Sequence, residues 1–406
     1  MKKDTVVILD FGSQYNQLIA RRVRECKVYS VLMPYNTPVE KIKSFNPRAI
    51  IFTGGPASVA MKGSPKADPM IFKLGVPVLG ICYGMQFTAY VLGGKVRKSK
   101  KREYGYAELS LNRKDRFFKG FQKKEKVWMS HGDKVQEMPK GFKILAHTKN
   151  SHIASMADPK RKIYGVQFHP EVIHTPKGMQ IFKNFLYDIA GLKPTWTMAS
   201  FIKNSIEEIR AKVGKEKVVL GLSGGVDSSV AAVLLHRAIG NRLQCIFVDN
   251  GLLRKYEREY VEDVFKKHFR VNLHVAKSEK RFLERLKGVI DPERKRKIIG
   301  NEFIRVFEEE SKKLGSVKFL GQGTLYPDVI ESVSAKGGPS ATIKTHHNVG
   351  GLPKKMNLKL IEPLRDLFKD EVRLLGKELK LPDAMIHRQP FPGPGLAVRI
   401  IGDITK

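Results

Sequence analysis

Two groups of residues, far apart in the chain, could together form a cysteine hydrolase site. The first, Gly80-Ile81-Cys82-Tyr83-Gly84, places a thiol between two glycines, and the second is His169-Pro170-Glu171. The glycines permit a sharp strand-to-helix turn, which would expose the sulfur and let the helix N-terminus favour its thiolate. Residues two apart on a strand face the same side, so His169 could take the thiol proton while Glu171 orients its ring.

Backbone N–H groups near Cys82 are candidates for stabilising the oxyanion that such a reaction develops. Tyr83 follows the nucleophile, and Gly55 lies in a Gly54-Gly55 pair just after another expected strand. Both positions can present a main-chain donor to the reacting carbonyl group. A buried structural cysteine is the alternative for the first motif alone, and the presence of both motifs favours catalysis.

A second site is expected at a run of small residues between a strand and a helix. Its members are Ser223, Gly224, Gly225, Val226, Asp227, Ser228 and Ser229. Consecutive backbone N–H groups there can bind a phosphate at the helix N-terminus. Because the run lacks the lysine of a Walker A loop, it suits holding a departing pyrophosphate more than moving a phosphoryl group. Asp227 is a candidate Mg²⁺ ligand, and helix capping by Asp227 or Ser228 is the alternative.

A further nucleotide contact is expected at Asp249-Asn250-Gly251, just after the next strand along the chain. The carboxyl ends of neighbouring parallel strands meet at one edge of a sheet. That edge is where open α/β sheets bind their ligands.

Short apolar strands alternate with helices along the chain, which predicts an α/β fold. Expected strands in the first half are 5–9, 49–52, 76–79, 107–111 and 163–168, with helices at 15–25, 85–92 and 182–189. The second half shows helices at 198–213, 229–239 and 262–269 and strands at 217–222, 243–248, 271–275 and 317–321. The expected fold is two doubly wound, mostly parallel sheet domains in tandem. The expected domains are 1–192 and 200–389, joined by a linker at 193–199 and followed by 390–406.

Composition limits the class of protein and its partners. The 406 residues carry a formal net charge of +34, spread over several basic runs. A solvated basic surface with anionic substrates is favoured over nucleic-acid binding as the main role, because aromatic residues do not interleave with these runs. There are three cysteines and no apolar run long enough to span a bilayer, so we expect a cytoplasmic protein without disulfides.

The first half resembles class I glutamine amidotransferases. The resemblance is carried by Asp10-Phe11-Gly12-Ser13-Gln14-Tyr15, the Cys82 turn and His169-Pro170-Glu171. It implies that Cys82 attacks the carboxamide of glutamine, that ammonia is released and that a glutamyl thioester is hydrolysed. It also implies oxyanion donors at Gly55 and Tyr83 and glutamine contacts from Gln86, Ser130, His131 and Asp133. Without the family, the segment 130–133 indicates only a polar turn.

The second half resembles N-type ATP pyrophosphatases in the loop 223–229. Longer segments resemble the GMP synthase family, at 297–304, 322–328, 346–353, 362–373 and 391–397. The resemblance implies that ATP adenylates the xanthine O2 of xanthosine 5′-phosphate and that pyrophosphate leaves. Ammonia passed from the glutaminase site then displaces AMP to give GMP. The resemblance also implies Mg²⁺ as a cofactor and places 249–251 beside the adenosine of ATP.

Basic residues further along are expected near the nucleotides. The resemblance favours a mobile lid at 291–297, with Arg294 and Lys297, and the alternative is a solvated basic face. A role beside phosphates is expected for Lys344, His346 and His347. A metal shared by the two histidines is not expected, because adjacent residues on a strand face opposite sides.

The chain departs from the family in two places. Gln389 stands in Arg388-Gln389-Pro390, where some members have histidine. The family continues into a further domain that dimerises and completes the xanthosine phosphate site. We therefore expect a truncated or split chain, with 390–406 as the start of that domain, a strand at 396–401 and doubtful homodimerisation.

Three alternatives to an active synthase remain open. The chain could keep its glutaminase and ATP-loop features with impaired synthase activity. It could be another ATP-pyrophosphatase amidotransferase, one that makes NAD or modifies tRNA. It could also be a basic, non-catalytic nucleic-acid-binding protein, against which Cys82, His169, Glu171 and Asp227 argue.

Overall fold

In this computed structural model, the described residues are 4–112, 114–334, 358–389 and 395–404. They form two compact units, one up to Thr197 and one beginning at Met198, and each unit has its own sheet. No helix within these ranges is both long and apolar enough to cross a membrane.

The first unit contains nine strands and four helices among its described residues. The strands are β1 (Thr5–Asp10), β2 (Tyr29–Pro34), β3 (Pro47–Phe52), β4 (Val78–Ile81), β5 (Lys95–Leu111), β6 (Lys124–Glu137), β7 (Lys143–His147), β8 (Ser155–Asp158) and β9 (Ile163–Val166). The helices are α1 (Asn16–Glu25), α2 (Val39–Ser44), α3 (Tyr83–Val91) and α4 (Gly178–Lys183), which continues as a π-helical turn, Asn184–Ile189.

The first sheet is mixed, with the order β2-β1-β3-β4-β9-β8-β7-β5-β6. Its pairs are parallel from β2 to β9 and antiparallel from β9 to β6. The α/β class is confirmed, and the strands expected at 5–9 and 49–52 are β1 and β3. The sequence analysis missed most of β5. Many of its exposed residues are lysines and arginines, and its buried residues include the polar Ser99 and Glu103 as well as Val96. That pattern lacks the apolar alternation that predicts a strand.

The second unit contains five strands and eight helices within the described ranges. The strands are β10 (Val218–Gly221), β11 (Leu243–Asp249), β12 (Asn272–Lys277), β13 (Phe319–Gly321) and β14 (Lys359–Ile361). The helices are α5 (Met198–Val213), α6 (Val226–Ile239), α7 (Glu257–Glu262), α8 (Glu279–Leu286), α9 (Pro292–Lys313), α10 (Tyr326–Ser334), α11 (Lys369–Glu378) and α12 (Asp383–Ile386). A π-helical turn, Asp263–His268, continues α7.

The second sheet is entirely parallel, in the order β12-β11-β10-β13-β14. The expected strands at 217–222, 243–248 and 271–275 are confirmed as β10, β11 and β12. Helix α6 begins at Val226, three residues before the expected start, so Val226, Asp227 and Ser228 form its first turn.

The strand expected at 396–401 is wrong. Gly395–Arg399 form a 3₁₀-helix whose Ala397 is buried in the core of the second unit. An apolar run becomes a strand only beside a partner strand, and here the main chain bonds otherwise: Leu396 N donates to Leu252 O at 2.8 Å. The ammonium of Lys295, which is fully buried, donates to the carbonyl oxygens of Ile400 and Gly402 at 2.9 and 2.6 Å.

The turn between β4 and α3 depends on close packing at two glycines. A Cβ added to Gly80 would lie 2.6 Å from the main chain of Gly84, and a Cβ added to Gly84 would lie 2.5 Å from Phe52 O. Real Cβ atoms do not approach other heavy atoms so closely, so neither position has room for a side chain. The two glycines around Cys82 therefore hold β4, α3 and β3 at the distance that the turn requires.

Gly84→Ala is expected to lower the free energy of unfolding of the first unit by about 1–3 kcal/mol, because β3 must move to admit the methyl group. Both tryptophans, Trp128 and Trp196, belong to the first unit, so urea unfolding followed by tryptophan fluorescence reports on that unit. Gly132→Ala is the matched control, since its added Cβ would meet nothing closer than 3.9 Å. Equal stability of the two variants would contradict the steric argument.

Candidate active site

Cys82 occupies a strained position between β4 and α3. Its φ of +51° and ψ of −105° lie outside the regions that residues with side chains ordinarily adopt. Its N–H donates to Val166 O of β9 at 2.8 Å, and the side chain is buried. Such strain persists only where the surrounding structure enforces it, and it commonly marks a functional residue.

His169 contacts both Glu171 and the sulfur of Cys82, as the sequence predicts, but His169 and Glu171 lie in the turn after β9 and not on the expected strand. His169 Nδ1 lies 2.7 Å from Glu171 Oε1, and both side chains are buried. Because the carboxylate accepts, Nδ1 carries a proton, and the other ring nitrogen is the one that interacts with Cys82. The three side chains therefore form a continuous row of thiol, imidazole and carboxyl groups, an arrangement that suits a nucleophile, its base and an orienting acid.

The electrostatic surroundings favour a protonated His169. Burial lowers its pKa, but the Glu171 carboxylate and the Cys82 sulfur together raise it, and the net pKa lies well above the ordinary 6.5. The buried Glu171 carboxyl and the Cys82 sulfur therefore stabilise the protonated form of the His169 ring.

The main chain of His169 is fixed by residues that the sequence analysis missed. His169 N donates to Trp128 O at 2.9 Å, and the Thr175 hydroxyl donates to His169 O at 2.7 Å. The same hydroxyl accepts from Trp128 N at 3.1 Å, and the ring of Tyr15 contacts the imidazole edge-on at 5.6 Å. No local motif marks Trp128 or Thr175, because only the fold brings them together.

The candidate oxyanion donors, Gly55 and Tyr83, differ in their surroundings. A Cβ added to Gly55 would lie 2.6 Å from Phe11 O, whereas one added to Gly54 would lie 3.2 Å from the His169 ring and 3.7 Å from the Cβ of Cys82. Gly54 is therefore the glycine of the pair that lies against the reactive groups. The Tyr83 hydroxyl donates to Pro65 O at 2.6 Å, so its side chain is occupied elsewhere.

The four predicted glutamine contacts differ in their partners, and it is Ser130 that contacts the sulfur. Gln86 Nε2 donates to Asp133 O at 2.8 Å, and Cys82 Sγ lies 3.7 Å from Ser130 O. His131 is different: its ring nitrogens lie 3.0 Å from Glu103 Oε2 and 3.0 Å from Asp133 O. Both ring nitrogens are thus engaged by other groups of the protein.

The partner of His131 is held in a buried polar network. Thr148 and Ser151 donate their hydroxyls to the two oxygens of Glu103 at 2.8 and 2.6 Å. Burial raises the pKa of Glu103, but hydrogen bonds from His131, Ser151 and Thr148 lower it by more. The net pKa of Glu103 is therefore below the ordinary value. This network supports the strand β6 on which Ser130 lies.

The loop 223–225 and the start of α6 form a compact turn. Gly224 has φ +72°, a conformation that favours glycine. The Ser228 hydroxyl accepts from Ser223 N at 3.2 Å and donates to Gly225 O at 3.1 Å. The Ser229 hydroxyl is fully buried and has no hydrogen-bond partner among the described residues.

Asp249 is the last residue of β11, and Asn250 and Gly251 follow it, beside the loop that follows β10. These strands are parallel neighbours, so both segments lie at the same sheet edge, as predicted. Asp249 Oδ2 lies 3.3 Å from a guanidinium nitrogen of Arg258, and the buried Asn250 accepts from Leu252 N at 2.9 Å. Only the Asp249 and Gly251 side of this segment is exposed to a ligand.

Comparison with known proteins agrees with this geometry. Residues 7–189 match the family described as glutamine amidotransferase class-I, and residues 197–255 match the family described as NAD synthase. A protein of Carboxydothermus hydrogenoformans named GMP synthase [glutamine-hydrolyzing] is 60% identical over 99% of this chain and 78% of its own length. The protein of that name in Acetivibrio thermocellus is 59% identical over 100% of this chain and 79% of its own. The chain belongs to the GMP synthase family.

A solved structure also matches part of the chain. It is a glutamine amidotransferase from Thermotoga maritima, 21% identical over 47% of this chain and 86% of its own, with a TM-score of 0.35.

Two residues beside the loop were not predicted from the family resemblance. Lys369, the first residue of α11, donates its ammonium to both oxygens of Asp227 at 2.7 and 2.6 Å. Arg388 donates to Gly224 O at 3.1 Å and pairs with the buried Glu257 at 2.7 Å. Lys369 lies in the segment 362–373, which resembles the GMP synthase family, and Arg388 lies close to the similar segment 391–397. This proximity was the only sequence feature that could have indicated a role for either residue.

The basic residues expected near the nucleotides divide into two groups. Arg294 and Lys297 lie in the first turns of α9, and Arg294 N donates to the helix-capping carboxylate of Asp291 at 2.7 Å. Lys344, His346 and His347 lie outside the described residues. Within the described ranges, no group of three or more histidines, cysteines and acids could hold a metal ion.

Glu171→Gln is expected to flatten the dependence of stability on pH. The folded protein keeps a proton on His169 that the unfolded chain loses near pH 6.5, so this stabilisation is complete below pH 6.5 and disappears as the pH rises through the folded-state pKa. The free energy of unfolding of the first unit should therefore fall over that window in the parent protein and fall less in the variant. Urea unfolding between about pH 6 and 9 measures both slopes; identical slopes would contradict the assigned pairing.

Proposed function

We propose that this chain converts xanthosine 5′-phosphate to GMP, taking ammonia from glutamine and cleaving ATP to AMP and pyrophosphate. The observation that carries the proposal is the presence on one chain of the Cys82–His169–Glu171 arrangement and the phosphate-type loop 223–229. Relatives named GMP synthase [glutamine-hydrolyzing] match 99–100% of the chain. The NAD synthase match covers only 197–255, which disfavours NAD as the product.

The glutaminase step is assigned to residues 1–192. The Cys82 thiolate attacks the carboxamide carbon of glutamine, and the His169 imidazolium gives its proton to the departing ammonia. The neutral ring then takes a proton from the water that hydrolyses the thioester, while Glu171 keeps the Nδ1 proton in place. The backbone N–H groups of Gly55 and Tyr83 stabilise the oxyanion of each tetrahedral intermediate.

Substrate glutamine is assigned to Ser130, to the Asp133 side chain and to the carbonyl oxygen of the Gln86 amide. Ser130 O lies 3.7 Å from the sulfur, and Gln86 is linked to the sulfur through Gln167 and bonds the main-chain oxygen of Asp133. The His131 ring is assigned a supporting role, because Glu103 and Asp133 engage both of its nitrogens.

The synthetase step is assigned to residues 200–389. The loop 223–225 and the N-terminus of α6 bind the β- and γ-phosphates of ATP, with adenosine near 249–251. The xanthine O2 attacks the α-phosphorus, so that pyrophosphate leaves and AMP becomes bonded to the base. Ammonia then adds at C2, and AMP departs with its electron pair. Arg294 and Lys297 contact the nucleotides from α9.

Magnesium fits the donor set at Asp227. Mg²⁺ commonly uses one or two carboxylates together with substrate phosphates and water, and Asp227 offers one carboxylate beside the hydroxyl-rich loop. When bound there, the ion would neutralise charge on the departing pyrophosphate. Lys369 holds both Asp227 oxygens in the free protein and is assigned to the phosphates when a nucleotide is bound.

The three cysteines support a reducing compartment. Cys26, Cys82 and Cys245 are all buried and free. Disulfides are rare in the cytosol, so we assign the protein to the cytoplasm.

Cys82→Ala is expected to abolish glutamine-dependent GMP formation and to leave ammonia-dependent formation unchanged, because the thiol acts only on glutamine. GMP is measured with ATP and xanthosine 5′-phosphate, supplied with either glutamine or ammonium chloride. Cys26→Ala is the matched control, since Cys26 is buried outside the site. An equal loss of GMP formation with glutamine and with ammonium would contradict the assignment of the thiol to the glutamine step alone. If the parent protein formed no GMP with ammonium, the proposed function would be contradicted.

Asp227→Asn is expected to slow pyrophosphate release by about 100-fold with saturating ammonium, because the loop loses its anionic ligand for the metal. Pyrophosphate is measured with ATP and xanthosine 5′-phosphate, and glutamine hydrolysis is measured in parallel as a check on the first unit. Asp263→Asn is the control, because Asp263 pairs with Lys267 on an exposed surface. A normal rate in Asp227→Asn would remove Asp227 from the metal-binding role.

A further inference from the structure

Gln167 lies directly against the reactive sulfur, although neither motif includes it. It follows β9, its N–H donates to Ala154 O at 2.8 Å, and its side chain is fully buried. The side-chain Nε2 lies 3.5 Å from Cys82 Sγ. A buried amide next to a sulfur is either a space-filling group or a directed hydrogen-bond donor, and its other contacts decide between them.

The orientation of the Gln167 amide is fixed by Gln86. Gln86 Nε2 donates to Asp133 O at 2.8 Å and to Gln167 Oε1 at 3.2 Å, which uses both hydrogens of that amide. Gln167 Oε1 must therefore be the acceptor of the pair. Rotating the Gln167 amide by half a turn would place its NH₂ against the NH₂ of Gln86, so the Gln167 N–H group has to face the sulfur.

The remaining polar neighbours of the sulfur act differently on its two protonation states. Ser130 O, at 3.7 Å, can only accept, so it is a partner for the S–H of the thiol and repels a thiolate. The Gln167 N–H can only donate at this position, so it is a partner for the thiolate. A hydrogen bond to a buried anion is stronger than one to a neutral group.

We propose that Gln167 is a positioning residue of the glutaminase site. Its amide N–H, which Gln86 orients, donates a hydrogen bond to the Cys82 sulfur and stabilises the thiolate over the thiol. This inference deepens the proposed function and rests on it. Gln86 thereby has two roles: its NH₂ orients Gln167, and its oxygen remains for the substrate.

The test is the pH profile of alkylation of Cys82 by iodoacetamide, with the modified cysteine identified by peptide mass. Burial raises the pKa of Cys26 to about 11 and raises the pKa of Cys245 as well, so neither competes near neutral pH. In Gln167→Leu, the midpoint of the profile should move upward by about one pH unit, and alkylation at about pH 7 should slow by about tenfold. The kcat for glutamine hydrolysis should fall by a similar factor with KM little changed.

Gln180→Leu is the matched control, because it removes the same group from α4, where Gln180 bonds Asn184. It should leave the profile unchanged. An unshifted profile in a folded Gln167→Leu protein would overturn the proposal. Gln167→Glu keeps the volume and reverses the polarity, so it should shift the midpoint at least as far; it decides the matter if the leucine variant does not fold.

Two measurements separate this proposal from the proposed function. Alkylation of Cys82 needs neither ATP nor nucleotide, so its pH profile reports on Gln167 even if the chain makes no GMP. GMP formation from ammonium chloride tests the synthase without the thiol. A shifted profile with no GMP would support Gln167 and reject the synthase, and the opposite result would do the reverse.

Discussion

The positive φ of Cys82 is the constraint on which the first site depends. A residue with a side chain does not adopt this conformation in isolation, so β4 and α3 must impose it. They do so through Gly80 and Gly84, which have no side chains and therefore let β4, α3 and β3 approach one another closely. The Cys82 N–H is then bonded to β9, the strand that leads directly into Gln167 and His169. One turn thus fixes the Cys82 thiol, the His169 ring and the Gln167 amide relative to each other.

The loop of the second unit is stabilised in a comparable way, by charge rather than by sterics. Gly224 has a positive φ, and its carbonyl oxygen accepts from Arg388, which is held by the buried carboxylate of Glu257. Glu257 also accepts from Arg254 N at 3.0 Å. A buried ion pair of this kind is costly to desolvate but gives a defined geometry when all its donors are used. The loop is therefore held by this charged contact as well as by its own hydrogen bonds.

The sequence was most informative where chemistry and local structure coincide. Cys82 and the loop 223–229 stand in contiguous motifs whose turn geometry follows from the residues themselves, whereas His169 and Glu171 were expected on a strand and lie in the turn after β9. The α/β class followed from apolar strands such as β1 and β11. Most of the polar strand β5 could not be predicted, because its buried positions include Ser99 and Glu103.

Supporting residues were predictable only to the extent that they are close in sequence. Lys369 lies 142 positions from Asp227, and Gln167 lies 85 positions from Cys82, so tertiary structure alone brings these groups together. The family resemblance implied a glutamine contact from His131, and the structure places its ring against Glu103, 28 positions away, a contact that no local motif indicates. The run 396–401 is apolar enough for a strand, but Leu396 N donates to Leu252 O and Gly395–Arg399 form a 3₁₀-helix, so the run joins no sheet.

The pair of Lys369 and Asp227 gives the free protein an internal counterion. Both carboxylate oxygens are occupied by a tethered ammonium, so the start of α6 is electrically balanced without any ligand. A monovalent ion from solution has no Coulombic advantage over that ammonium, whereas a dication attracts the carboxylate about twice as strongly at equal distance. The pair therefore sets a condition for any cation at Asp227, which must displace an ammonium that is tethered to the protein and meets both carboxylate oxygens.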